Sequence, residues 1–195
     1  MTLTSSYFTF GFYLKNLLGK FCKFLNIRNN YLELTVTSVK EANFVLTILK
    51  KDPMCSYNML LEISAVDYIK EKHDIRFQIG YFLFSYKYNM RLKVILNVSG
   101  LTNIPSVTTL YPNANWLERQ IWDMFGLHFE NHPDLRRILT DYGFEGFPLR
   151  KDFPLLGYFE VYYDDELKRV SYKPVKMTQG FRDFNFNMPW KWTEL

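Results

Sequence analysis

The sequence predicts an α+β fold, in which helices cover one face of a mostly antiparallel, four-stranded sheet and an extended C-terminal arm with a hairpin follows. Four segments have the apolar alternation of strands, and apolar residues recur at helical spacing before and between them. The third observation concerns residues 151–195, where aromatic residues are frequent but periodicity is lost after a possible hairpin. We therefore divide the chain into residues 1–30, 31–150 and 151–195.

Residues 1–30 are predicted to form an amphipathic helix. Its apolar stripe contains Leu14, Leu17, Leu18, Phe21 and Leu25. Residues 1–32 carry basic but no acidic side chains, as a mitochondrial transit peptide does, yet no obvious processing site follows. We therefore favour a helix that packs on the core. Lysines interrupt the most apolar stretch of this segment, so no transmembrane span is predicted.

Residues 31–150 contain the predicted core. Its predicted strands are Tyr31–Val36, Met59–Val66, Arg76–Ser85 and Arg91–Val98. Short links join the last three strands, which predicts antiparallel hairpins. A helix is predicted between the first two strands, because Ser38 and Glu41 have the spacing of a capping box and the helical pattern stops at Pro53.

Residues 116–125 are predicted to form a second amphipathic helix. Asn115 and Glu118 have the spacing of a capping box, and Gly126 suits a left-handed helix end. The apolar stripe that would face a core consists of Leu117, Ile121, Met124 and Phe125. The charged residues on the opposite flank, which elementary physics alone assigns to a solvated face, are Glu118, Arg119 and Asp123.

The segment after this helix is rich in Arg, Asp, Gly and aromatic residues. Pro133 suits the first turn of a short helix. Residues 141–147 contain two glycines, and Pro148 restricts the residue before it to extended geometry. Such a loop gains little from burying its own side chains, so we expect another surface to press against it.

Residues 151–195 are predicted to be an arm that binds a partner. Gly157–Tyr163 and Lys168–Tyr172 have the pattern of a hairpin around an acidic turn. The tail beyond it carries large apolar side chains without periodicity: Phe181, Phe184, Phe186, Trp190 and Trp192. It is too hydrophobic for ordinary disorder and too aperiodic for a core of its own.

Composition restricts the class of protein. The 24 basic and 20 acidic residues give a net charge of +4, which is no argument for a nucleic-acid partner. Alanine is rare, whereas Phe, Tyr, Asn and Lys are frequent, which is typical of an AT-rich genome and favours organellar coding. Cys22 and Cys55 imply no disulfide framework, so a reducing compartment fits.

The sequence lacks the patterns of common catalytic and cofactor sites. It contains no glycine-rich phosphate loop, no C-x-x-C and no four-cysteine set, so neither a nucleotide nor an iron–sulfur cluster has an evident site. His128 and His132 have the spacing of a helical metal pair, but Gly126 and Pro133 argue against a continuous helix there. We expect no metal and no catalytic residue, and interpret the chain as a binding and positioning protein.

One long stretch resembles a known family. The run WLERQIWDMFGLHFENHPDLRRILTDYGFEGFPLRKDFPLLGYFEV is similar to the signature region of the thirty-kilodalton subunit of respiratory complex I, a family that includes the bacterial C subunit and mitochondrially encoded subunit 9. The resemblance continues through DDELKRVSYKPVKMTQGFRDFNF to the Met188-Pro189-Trp190 motif and covers roughly residues 110–192. Gln120, Phe147 and Tyr162 depart from the residues that are usual in this family.

The resemblance implies a core subunit of the hydrophilic arm of NADH:ubiquinone oxidoreductase, without a cofactor of its own. Neighbouring subunits would hold FMN and the iron–sulfur clusters, and the forty-nine-kilodalton quinone-site subunit would be a direct partner. The expected location is the matrix side of the mitochondrial inner membrane. Residues expected to contact partners are Glu118, Arg119, Asp123, Arg136, Arg137, Asp141, Arg150, Lys151, Asp152, Phe181 and Trp190.

The alternative function is that of a basic, aromatic RNA-binding or ribosomal protein. Such a protein carries aromatic side chains interleaved with Lys or Arg on one sheet face. A faint version of this pattern occurs at Tyr81, Phe82, Phe84 and Tyr86, but these residues flank no basic cluster in the sequence. The sequence therefore favours the complex I subunit.

Overall fold

Three α-helices occur in the computed structural model, which describes residues 3–28, 31–69, 75–182 and 184. They are α1 (Leu3–Leu18), α2 (Ala42–Lys51) and α3 (Ala114–Phe125). The first helix ends at Leu18 because Gly19 adopts a left-handed φ of 44°, and the following residues, Cys22–Arg28, form a strand. The prediction of a helical stripe reaching Leu25 is therefore wrong beyond Leu18.

The main sheet has five strands. They are β1 (Cys22–Arg28), β2 (Tyr31–Val36), β3 (Met59–Asp67), β4 (Phe77–Ser85) and β5 (Met90–Val98). Their order is β1-β2-β5-β4-β3, with β2 and β5 parallel and the other pairs antiparallel. The α+β class is confirmed, but the sheet is mixed and five-stranded rather than mostly antiparallel and four-stranded. No hairpin joins β2 to the strands that follow it, because α2 lies between β2 and β3. The sequence therefore does not specify the direction of β2 relative to β5.

One continuous core lies between the sheet and the helices. Alternate residues of β4 and β5 are buried, namely Phe77, Ile79, Tyr81, Leu83, Leu92, Val94, Leu96 and Val98. The predicted stripe of α2 is also buried, namely Ala42, Val45, Leu46 and Leu49. Leu14 and Leu18 of α1 and Ile121 of α3 join the same cluster. Burial of this apolar surface is the main stabilising contribution to the fold.

A short parallel pair places the segments before and after α3 side by side. It joins β6 (Ile104–Pro105) to β7 (Phe129–Glu130). The Ser106 amide donates to the Glu130 carbonyl at 3.0 Å, which extends this pairing by one residue. Ser106 and His132, which follow these two strands, both contact α3.

The chain divides into two compact units after Phe153. The second unit contains the antiparallel hairpin of β8 (Phe159–Asp164) and β9 (Arg169–Pro174), and nearly all of its side chains are exposed. The hairpin confirms the one that the sequence predicts. Among the described residues, no helix is long and apolar enough to cross a membrane.

Candidate functional site

Residues 131–153, which we call the braced loop, carry most of the charged residues singled out in the sequence. The braced loop contains neither helix nor strand, so the short helix predicted after Pro133 is wrong. Backbone amides of this segment instead donate hydrogen bonds to side chains of α3 and of the end of β3. Its conformation is therefore set by tertiary contacts rather than by local helical hydrogen bonds.

Asp123 on α3 is the principal anchor of the braced loop. Its side chain is fully buried, with 0% exposed. One carboxylate oxygen, Oδ2, accepts hydrogen bonds from the amides of Ile138, Leu139 and Thr140 at 3.2, 2.8 and 2.9 Å. The other, Oδ1, accepts from the Thr140 hydroxyl at 2.6 Å. Three successive amides thus converge on one oxygen, as in an anion-binding nest.

Arg137 completes the charge balance around Asp123. Its Nη1 donates to Asp123 Oδ1 at 2.9 Å, and its Nη2 donates to the Gly146 carbonyl at 3.0 Å. The guanidinium also lies 5.5 Å from the Trp122 ring centre and 5.2 Å from that of Phe147. Arg137 therefore joins α3 to two separate parts of the braced loop through ionic, hydrogen-bonding and cation–π contacts.

Arg150 and Phe147 close the braced loop over the end of α3. The Nε of Arg150 donates to the Phe125 carbonyl at 2.5 Å, and its guanidinium lies 4.4 Å from the Phe147 ring centre. Gly126 ends the helix with a φ of 71°, as the sequence predicts. A Cβ on Gly126 would lie 2.6 Å from both Phe147 and Arg150, so only glycine fits this position.

The C-terminal end of the braced loop is tied to the sheet by Asp67, which is buried at the end of β3. Asp67 Oδ2 accepts from the Lys151 amide at 3.0 Å. Arg76 bridges Asp67 and Asp152, with distances of 3.3 and 2.7 Å. Lys151 and Asp152, which the sequence assigns to the arm, thus belong to the first compact unit.

Glu118 lies one and a half turns before Asp123 on α3 and is also fully buried. The capping box predicted for it is wrong, because α3 begins two residues earlier than predicted and has no side-chain cap. Glu118 Oε1 instead accepts from the Val107 amide and Oε2 contacts the Ser106 hydroxyl, both at 2.7 Å. The solvated face predicted for Glu118 and Asp123 is wrong, since other segments cover both carboxyl groups.

The two buried carboxyl groups of α3 have opposite pKa shifts. Burial raises the pKa of Glu118 to about 7, although the Val107 amide and the Ser106 hydroxyl act against this. Burial also acts to raise the pKa of Asp123, but hydrogen bonds from Thr140, Leu139 and Arg137 outweigh it and lower that pKa to about 2. The pKa of Asp123 is the lower of the two because more hydrogen bonds reach its carboxylate and because the Arg137 guanidinium lies beside it.

The outer side of the first unit carries exposed apolar and charged side chains next to this anchored framework. Tyr142 is 98% exposed, and Leu139 and Leu149 are also exposed. Arg136 is exposed and pairs with Asp134 at 2.9 Å. Trp116 on α3 is exposed, and the Arg119 guanidinium lies 5.4 Å from its ring centre. Exposed Tyr, Trp and Arg side chains on a rigid framework are typical of protein interfaces.

The residues that the sequence predicts as partner contacts lie in several different parts of the structure. Arg119 does not pair with Asp123 but donates to the carbonyls of Arg136 and Arg137. Asp141 and Phe181 are exposed, whereas Trp190 lies outside the described residues. Sequence reasoning missed the anchoring residues Asp67, Arg76, Ser106, His132 and Thr140. No local motif marks them, because each acts on a residue distant in the chain.

The described ranges contain no group of three or more His, Cys, Asp or Glu side chains that could hold a metal ion. His128 is exposed, and His132 turns towards α3, where its Nε2 contacts the Asn115 carbonyl at 3.2 Å. The site as described consists of a carboxylate- and guanidinium-braced surface.

Comparisons with known proteins show the family to which the chain is similar. Residues 35–159 match the family model described as the 30 kDa subunit of the respiratory-chain NADH dehydrogenase. NADH-ubiquinone oxidoreductase subunit 9 of Reclinomonas americana is 53% identical over 165 residues, which are 84% of this chain and 79% of that protein. Subunit 9 of Acanthamoeba castellanii is 47% identical over 185 residues, covering 92% of this chain and 93% of that protein.

A bacterial protein and two solved structures are also similar to this chain. The NADH-quinone oxidoreductase C subunit of Parvibaculum lavamentivorans is 53% identical over 150 residues, covering 77% of this chain and 74% of that protein. A trypsin-resistant fragment of Nqo5 has a TM-score of 0.52 at 26% identity, over 69% of this chain and all of that fragment. A chain of an archaeal membrane-bound sulfane sulfur reductase shares the fold, with a TM-score of 0.65 at 24% identity, over 77% of this chain and 87% of that chain.

These relatives give no support to the RNA-binding alternative. The family model covers more than half of the chain, and relatives from protists and bacteria match most of it at about half identity. The chain therefore belongs to the family of the 30 kDa subunit of the respiratory-chain NADH dehydrogenase.

Proposed function

We propose that this chain is a core subunit of the hydrophilic arm of an NADH:ubiquinone oxidoreductase. It supports electron transfer from NADH to ubiquinone, coupled to proton translocation, by holding neighbouring subunits in place. Family membership supports the assignment to the complex. The observation that carries the positioning role is the braced loop, whose inner side is anchored by buried charges while its outer side exposes apolar groups.

The anchoring contacts make the proposed docking surface rigid before a partner binds. Asp123 accepts five hydrogen bonds from the braced loop, so residues 137–140 lose little further conformational freedom on association. Tyr142 and Leu139 present apolar surface, and Arg136 presents a cation that an acidic group can pair with. We assign this surface to contact with the forty-nine-kilodalton quinone-site subunit.

The second unit supplies a further contact in this proposal. One face of the β8–β9 hairpin exposes large side chains, namely Phe159, Val161, Tyr163, Val170 and Tyr172. An isolated two-stranded hairpin is marginally stable in water, so this apolar surface favours burial against another subunit. Phe181, which follows the hairpin in the chain, is also exposed.

The redox centres belong to other subunits in this proposal. We assign FMN and the iron–sulfur clusters to neighbouring subunits, since the described residues include no set of thiolate or imidazole ligands. We assign the chain to the matrix side of the mitochondrial inner membrane. The protist relatives named as subunit 9 and the AT-rich character of the composition support this location.

Charge reversal at Arg136 tests the docking surface. We expect Arg136→Glu to lower the amount of assembled complex about tenfold, because loss of an interfacial charge pair costs more than about 1.4 kcal/mol. The melting temperature of the isolated chain should be nearly unchanged, since the Arg136–Asp134 pair is exposed. Complex levels are measured on native gels of solubilised membranes.

A matched reversal at Lys87 is the control. Lys87 is equally a cation on the surface of the first unit but lies in the turn between β4 and β5. We expect Lys87→Glu to leave complex levels normal. Normal levels for Arg136→Glu as well would contradict the proposed surface, and normal levels with lost turnover would indicate a direct catalytic role.

A further inference from the structure

The second buried carboxyl group of α3, Glu118, does not brace the outer surface but lies in a small polar cluster within the core. Its Oε2 contacts the Ser106 hydroxyl at 2.7 Å, and that hydroxyl lies 2.9 Å from the Thr108 hydroxyl. His132 approaches from the start of the braced loop, with 3.9 Å between its Nε2 and Glu118 Oε2. Side chains of both residues are almost completely buried, with 0% and 1% exposed.

The hydrogen bonds of His132 fix its tautomer. The Asp134 amide donates to Nδ1 at 3.1 Å, so Nδ1 acts as an acceptor and carries no proton. Nε2 lies 3.2 Å from the Asn115 carbonyl, which can only accept, so Nε2 carries the proton.

A neutral Glu118 fits this cluster better than an ionised one. A protonated Oε2 can donate to the Ser106 hydroxyl, which can donate in turn to Thr108, so every group is satisfied. An ionised Glu118 would face a neutral imidazole and only two donors, without the guanidinium that Asp123 has. A buried, uncompensated charge is costly.

The groups that face Glu118 from the other packed elements do not compensate its charge. Tyr81 of β4 is buried, burial raises the pKa of its hydroxyl, and the Glu118 charge raises that pKa further. Its hydroxyl has no hydrogen-bond partner among the described residues. The nearest contribution of α2 is a neutral amide, since Asn43 donates to the Ser106 carbonyl at 3.1 Å.

We propose that Glu118 and His132 form a proton-binding latch. In the latched state Glu118 is protonated and His132 is the neutral Nε2–H tautomer. The contact of His132 with the Asn115 carbonyl then holds residues 131–134 against α3. Loss of the Glu118 proton to solvent loosens this segment, because the carboxylate then attracts the Nε2–H group of His132 away from the Asn115 carbonyl and displaces the ring that accepts from the Asp134 amide. This inference concerns the chain itself and does not depend on the proposed function.

The sign of the pH dependence follows from the raised pKa of Glu118. The free carboxyl ionises near 4.5 in the unfolded chain, whereas the folded one holds its proton up to about pH 7. The contribution to stability is therefore full below 4.5 and is lost as the pH rises from 4.5 to about 7. We expect the unfolding equilibrium constant to rise on the order of a hundredfold across this range.

The experiment compares the full chain with Glu118→Gln and, as a control, Glu62→Gln on the exposed part of β3. Chemical unfolding is measured between about pH 4 and about pH 9, together with hydrogen-exchange protection of the Asp134 amide. The wild type and Glu62→Gln should lose stability, and at least about tenfold in Asp134 protection, as the pH rises. Glu118→Gln should show neither loss, since its amide cannot ionise.

A purely structural role for Glu118 would shift stability by the same amount at every pH and would contradict the latch. The wild type decides the question even if Glu118→Gln does not fold. Long-range ¹H–¹⁵N spectra of the folded wild type at neutral pH should show the Nε2–H tautomer of His132. An Nδ1–H tautomer, an imidazolium beside an ionised Glu118, or Asp134 protection independent of pH would overturn the proposal.

Discussion

Replacing Asp123 by alanine is expected to destabilise the first unit by about 3–5 kcal/mol, the range for breaking a buried ion pair from one side. The substitution leaves Arg137 without its carboxylate and three successive amides of the braced loop without their acceptor. Unpaired groups of this kind carry the full cost of desolvation. Denaturant unfolding of the isolated chain measures the change.

The exposed ion pair of the same loop provides the control. Asp134 pairs with Arg136, and their side chains are 46% and 75% exposed, so Asp134→Ala should cost less than about 1 kcal/mol. The contribution of Asp123 should also disappear as the pH falls from 3.8 to about 2, because its folded-state pKa is lowered. Equal effects for Asp123→Ala and Asp134→Ala would show that Asp123 does not anchor the loop.

Ending the chain after Phe153 is expected to abolish assembly into the complex while the remaining unit still melts cooperatively. The first compact unit ends at this residue and contains the whole core. The removed part contains the β8–β9 hairpin and the exposed apolar groups assigned to partner contact. Circular dichroism of the truncated chain and native gels of the complex provide the two measurements.

A second truncation, after Lys151, tests where the boundary lies. This shorter chain lacks Asp152, which pairs with Arg76 at 2.7 Å, and Phe153, whose ring lies 6.0 Å from that of Phe144. We expect it to be less stable than the longer truncation by about 2 kcal/mol, since it loses one partly buried aromatic side chain and one ion pair. Failure of the longer truncation to fold would contradict the division into two units. Normal assembly of either truncation would show that the arm is not needed for partner binding.

Local periodicity predicted those parts of the fold that local forces determine. The strands of the β3–β4–β5 hairpins were predicted to within a residue or two, because alternation and short links specify both the strands and their direction. The edge strand β1 was missed because its apolar residues also fit a helical repeat, and only Gly19 marks the change. The parallel pairing of β2 with β5 joins segments far apart in sequence, which no local pattern encodes.

Local sequence patterns also failed to predict how the candidate site is arranged. Glu118 and Asp123 stand on the polar flank of an amphipathic helix, and the hydrogen-bond donors that permit their burial come from residues 106–107 and 137–140. The position on the polar flank alone predicted that both side chains are in solvent, because the donors are distant in sequence. The family resemblance identified the right segment, and the structure separates its roles: Asp123 and Arg137 act inside the chain, whereas Arg136 is available on its surface.

The most direct measurement of the proposed function is the size and activity of the assembly that contains this chain. Solubilised membranes are separated on a native gel, stained for NADH-dependent reduction of a dye, and probed with an antibody to the chain. We expect the chain in one very large band that reduces the dye with NADH. Detection of the chain only at the size of the free protein, or in a large assembly that does not oxidise NADH, would contradict its assignment as a subunit of this oxidoreductase.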